Sequence, residues 1–279
     1  MRMSASLYLP VIQLRNSEVI FFDQWQGPRS NHKRNITGFQ GSKYQGNITN
    51  HSRKNLQKAL SILIQITPIR WIYNPVTQKN ILFKLNFVTL TLPPDRLVSA
   101  KEATKTCLEP TLRRMRSLGM KHYVWKAELQ KTGQIHYHIA TDNFIHYAEL
   151  NKTWNKNAKK AGYLDGYARR TGHFLPNSTD VHAVTKLSDV EGYMSKYLMK
   201  GVGATGTKGK IWDCNTELKN ARYFTTEATD ENLQRAKELS KKIWTGEYAT
   251  IAKLKPGQAW KVLDPYQQQQ YSQYIKSIR

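Results

Sequence analysis

ELQKTGQIHYHIA (residues 128–140) places His136 and His138 on either side of Tyr137, in a chain of 279 residues with only eight histidines. In a strand, side chains two residues apart project to one face. The two imidazoles would then share one small volume, a geometry that suits a metal site and equally suits a polar strand face. Lys131-Thr132-Gly133 reads as a three-residue hairpin loop with Gly133 in the left-handed position. That register opposes Gln130 to Gln134, and therefore Glu128 to His136, so Glu128, His136 and His138 converge. A two-residue Thr-Gly turn would shift the pairing by one residue and send Glu128 to the other face. The glycine at the third loop position favours the first register. Two imidazoles and a carboxylate form a three-ligand set with open positions. Such a set suits Mn²⁺ or a similar borderline ion, and Mg²⁺ can serve at cellular concentration.

The flanking sequence predicts the elements that would hold this hairpin. Leu56, Leu60, Leu63 and Ile64 have helical spacing between Ser52 and about Thr67. NILFKLNFVTLTLP (80–93) alternates as a strand and stops at Pro93-Pro94. Residues 100–118 read as a helix with a kink at Pro110. HYVWKAELQ and QIHYHIAT form the two arms of the hairpin, a basic helix covers 146–161, and STDVHAV adds another strand. Ser188 and Glu191 form a capping box for a helix that Gly201 ends, and helices are expected at 228–243 and 264–278. The first fifty residues read as loops and short hairpins, with Trp25, Phe39 and Tyr44 among basic residues. The expected fold class is α+β, a central antiparallel β-sheet flanked by helices. The expected organisation is a basic N-terminal extension with one helix (1–79), a core (80–205) and a mostly helical C-terminal extension (206–279), unless all three form one compact domain.

Composition narrows the partners. Lys and Arg number 43 against 20 Asp and Glu, a formal charge of +23. A charge of that size favours polyanions through phosphate contact and counterion release. Cys107 and Cys214 are too few and too far apart for a disulfide framework or a Cys-type zinc finger. No stretch approaches the roughly 20 apolar residues of a membrane span, and Gln13 and Arg15 interrupt the apolar start early. A cytoplasmic location is expected. GVGATGTKGK (201–210) departs from the phosphate-binding P-loop because Thr207, not lysine, follows Gly206.

YMSKYLMK (193–200) sets Tyr193 and Tyr197 at i and i+4 on one helix face, and Lys196 and Lys200 repeat that spacing. Taken alone, an amphipathic helix with buried rings accounts for the pattern. In order, however, FVTLTLP (87–93), IHYHI (135–139) with Glu128 before it, and YMSKYLMK resemble the three motifs of rolling-circle replication initiators of the HUH endonuclease superfamily. Tyrosines placed after the histidine pair, and two of them, look like the two-tyrosine branch of small single-stranded DNA phages. The resemblance spans about 80–201. It implies a divalent metal on Glu128, His136 and His138, attack by Tyr193 or Tyr197 on single-stranded DNA at a replication origin, and a 5′-phosphotyrosyl enzyme with a free 3′-OH. Lys196, one turn from both rings, is the expected source of positive charge that activates a tyrosine of ordinary pKa near ~10. Without a P-loop, a host helicase and polymerase are the expected partners. A transposase of the same superfamily and a non-enzymatic basic nucleic-acid-binding protein are the rival readings. His182, on the strand before the tyrosines, is left out of the site as a strand-face residue.

Overall fold

Apolar alternation in LPVIQL and VIFF folds the chain back on itself at Asn16-Ser17, where Arg15 N–H donates to the Glu18 carbonyl at 2.8 Å. The result is a hairpin of β1 (Tyr8–Leu14) and β2 (Glu18–Trp25), paired from Tyr8 with Trp25 to Leu14 with Val19. The computed structural model describes residues 8–27, 48–75, 77–130, 132–184 and 210–279. Contacts divide the chain into two compact units, one from Met1–Ser42 with Ala221–Arg279 and one from Lys43–Asn220.

The second unit begins with α1 (Asn50–Ile66), whose first turn is capped by the Thr49 hydroxyl accepting from Ser52 N–H. Leu56, Leu60, Leu63 and Ile64 are all buried, as their spacing predicts. Next, β3 (Arg70–Asn74) and β4 (Lys79–Phe83) form a two-stranded hairpin. The single strand expected over 80–93 is thus two strands in two sheets. Lys84 divides β4 from β5 (Leu85–Thr91), with its ammonium donating to the Thr67 carbonyl at 2.7 Å. Nearly every residue here is apolar, so alternation alone could not reveal the break.

After β5, α2 (Ala100–Ala103) passes through a π-helical turn at Thr104–Leu108 into α3 (Glu109–Ser117). Pro110 sits at the start of α3, where it lacks no needed donor, and the widened turn before it replaces the expected simple kink. Then come β6 (Tyr123–Leu129), β7 (Ile135–Thr141), α4 (Tyr147–Lys160), α5 (Asp165–Thr171), β8 (Thr179–Val184), β9 (Trp212–Cys214) and α6 (Thr216–Asn220). The five strands form an antiparallel sheet in the order β8-β5-β7-β6-β9.

Alternation gives this sheet two unlike faces. Val88, Leu90, Trp125, Ala127, Tyr137 and Ile139 point to one side and form the main core with Leu108, Leu112, Leu150 and Trp154 from the helices. At ~25 cal/mol per Å² of buried apolar surface, this layer carries most of the unit's stabilisation. Phe87, Thr89, Lys126, Glu128, His136 and His138 occupy the other side.

Beyond Ala221, the C-terminal region expected to be mostly helical contributes three strands: β10 (Thr225–Glu227), β11 (Lys242–Thr245) and β12 (Thr250–Lys253). They join the first hairpin in a sheet of order β10-β1-β2-β12-β11. The helix expected over 228–243 is α7 (Asp230–Leu239), and α8 (Pro265–Ile278) follows the expected 264–278. Ile12, Leu14, Val19, Ala236, Ala252 and Val262 make up the core of this unit.

Candidate metal centre

Gly133 adopts φ 80°, the left-handed conformation that a side chain resists. Gln130 N–H donates to the Gln134 carbonyl at 2.8 Å, and Gly133 N–H donates back to the Gln130 carbonyl at 2.9 Å. That turn fixes Glu128 opposite His136 and Lys126 opposite His138. The three side chains singled out from the sequence therefore meet on one sheet face. The His138 Nε2 lies 3.1 Å and the His136 Nε2 3.5 Å from the same carboxylate oxygen, Glu128 Oε2. All three ligand atoms lie within 4.8 Å of one another. Among the described residues, no other group of three His, Cys, Asp or Glu side chains is so placed.

Each imidazole is held from behind. The His138 Nδ1 lies 3.2 Å from the Thr89 hydroxyl, on the neighbouring strand β5, and its ring stacks on Phe87 at 5.5 Å. The His136 Nδ1 lies 2.9 Å from the Gln130 side-chain amide. A hydroxyl rotates and an amide turns over, so both partners can either donate to Nδ1 or accept from it. When they accept, Nδ1 carries the proton and each Nε2 lone pair faces the Glu128 carboxylate. This is the arrangement that orients metal-bound histidines.

Burial pushes the pKa values of both histidines down, and contact with Glu128 opposes the shift without cancelling it. His138, whose side chain is 5% exposed, falls to about 4, with the neighbouring His136 adding to the depression. Near neutral pH both rings are uncharged and have lone pairs to give. The donor set, its spacing and its charge state fit a divalent ion, and this cluster could hold one.

Sequence reasoning missed Lys126, Gln130 and Thr89. Lys126 shares the Glu128 face of β6, is buried, and has its pKa lowered by that burial, while Glu128 pulls it back up. Its i−2 position before Glu128 was the available signal. Thr89 carried none, because only the sheet order brings β5 against β7. His182, on β8, lies 2.8 Å from Asp180 and half-exposed, outside the cluster. Tyr193, Lys196 and Tyr197 lie outside the described residues, as do residues 201–209 of the glycine-rich loop.

Residues 85–202 match the family model of replication-associated proteins of the ORF2 type. The matched span contains the hairpin, β5, β8 and the paired-tyrosine segment, and the likeness supports a replication initiator. No curated protein and no solved structure matches the chain. No helix among the described residues is long and apolar enough to cross a membrane.

Proposed function

We propose that the protein is a metal-dependent single-strand DNA nickase and strand transferase that starts and ends rolling-circle replication. The observation that carries this reading is the convergence of Glu128, His136 and His138 within a span similar to replication-associated proteins. A divalent ion held there, Mn²⁺ or Mg²⁺, would supply positive charge to the phosphate oxygens of the scissile phosphodiester.

The chain's own residues do the rest. His136 and His138 stay neutral and oriented, Glu128 lowers the net charge of the site, and Phe87 and the sheet exclude water behind His138. Tyr193 or Tyr197 attacks phosphorus, the P–O3′ bond breaks, and the tyrosyl proton leaves as the 3′ oxygen gains one. The product is a 5′-phosphotyrosyl protein and a free 3′-OH, a primer for a polymerase. Lys196 favours the phenolate. Two tyrosines one helical turn apart allow a second cleavage while the first DNA end is still attached.

The test is incubation with circular single-stranded DNA and Mn²⁺, followed by a denaturing gel. The expected result is a nicked strand and a covalent protein–DNA adduct, both lost in EDTA and in the Tyr193→Phe/Tyr197→Phe double variant. Cleavage that persists in EDTA would overturn the metal-dependent reading.

A further inference from the structure

A cavity of about 470 Å³ opens where the first turns of α1 meet β9 and α6. Its volume is that of an ordinary small-ligand site, and it lies wholly within the Lys43–Asn220 unit. Trp212 forms part of its wall. The indole N–H donates to the Ser52 hydroxyl at 2.6 Å, which fixes the ring against α1. Asn55, one turn further along α1, offers an amide at the same opening.

Its cations are Lys58, Lys210 and Lys219. All three act on the Cys214 thiol at the floor of the cavity, an independent sign that they cluster there. Asp213 neutralises Lys210 at 2.7 Å. Lys58 and Lys219 remain to meet an anion.

The pairing register ties this cavity to the candidate metal centre. Trp212 is directly opposite Lys126, and Cys214 is opposite Val124. Directly opposed residues share a face, so Trp212 lies on the side of the sheet that carries Glu128, His136 and His138. Lys126 and Glu128 are two residues apart on β6, about 7 Å along the strand. An aromatic wall, an amide and two cations beside the scissile position have the chemistry of a nucleotide site. The ring offers a stacking surface, the amide reads a base edge, and the cations take the phosphate.

We propose that this cavity holds one unpaired nucleotide of the DNA strand, flanking the phosphate to be cut. The inference rests on the nickase reading for its position, but its test does not depend on cleavage. A 12-mer of thymidine with 5-iodouracil at single positions is bound to the full chain in EDTA and irradiated. The photo-adduct should fall in the tryptic peptide 211–219, which carries Trp212, and Trp212→Phe should redirect or remove it.

In parallel, Lys58→Gln/Lys219→Gln should weaken binding of the plain 12-mer about ten-fold. The control Lys152→Gln/Lys156→Gln, on the far side of the sheet, should change it two-fold or less. Adducts confined to other peptides, or equal losses for the two lysine pairs, would overturn the inference. A failure of nicking with these binding results intact would sink the catalytic reading and leave the nucleotide site standing.

Discussion

Each of the two five-stranded sheets belongs to a unit with a buried polar cluster, and the clusters differ in one respect. In the unit built on β1 and β2, Asn232 and Gln267 exchange amide hydrogen bonds at 2.8 and 3.2 Å. Asn232 also donates to the Val262 carbonyl and accepts from Thr229 N–H, while Gln267 donates to the Glu227 carbonyl and accepts from Asp264 N–H. Donors and acceptors balance, the network closes on itself, and it locks the starts of α7 and α8 together. In the other unit, Glu128, His136 and His138 bring acceptors together around one point, and their outer partners hold the rings without filling that point. A closed buried network is architecture. An open one, with its groups oriented but not mutually satisfied, is where a ligand fits.

The sharpest way to break this contrast is His138→Ala. Mn²⁺ affinity measured by calorimetry should fall more than about 100-fold, beyond the range seen for outer-shell partners, and adduct formation should vanish. Single-strand binding in EDTA should persist, because the overall charge of +23 is almost untouched. Retained Mn²⁺ affinity would mean that the cluster is only a polar strand face.

Asn232→Leu attacks the closed network instead. It strands the Gln267 amide and the Thr229 N–H in a buried site, at a cost of about 2–4 kcal/mol in unfolding free energy. A urea titration should show that loss with Mn²⁺ affinity unchanged. If metal binding moved as well, the two clusters would not be independent.

Acid should separate them further. The ordinary histidine pKa near ~6.5 applies to the unfolded chain, while folded His138 titrates at about 4. The unfolded chain therefore binds more protons between these values. The stabilisation from keeping this ring neutral is complete above about pH 6.5 and is lost as pH falls toward 4. Urea midpoints of the metal-free protein should decline across that window and flatten in His138→Gln. A decline unchanged in that variant would place the acid sensitivity elsewhere. The smallest effect concerns the outer partner. Gln130→Ala should weaken Mn²⁺ about ten-fold with stability nearly unchanged, and Gln130→Glu, which can still accept from Nδ1–H, should restore most of it.

Local physics determined a good deal from the sequence alone. Strand alternation, one glycine at a left-handed loop position and the count of residues between Gln130 and Gln134 suffice to bring Glu128, His136 and His138 to one face. The helical spacing of Leu56 to Ile64 and the prolines at 93 and 94 likewise act over a few residues. The tertiary structure decided the rest. It put β5 beside β7, which delivers Thr89 and Phe87 to His138, and β9 beside β6, which sets Trp212 opposite Lys126. It divided the apolar run at Lys84 and gathered β10, β11 and β12 onto the first hairpin. These pairings join residues far apart in the chain. They are selected by the total apolar surface buried and the loop entropy lost, sums over the whole molecule that no short window of sequence contains.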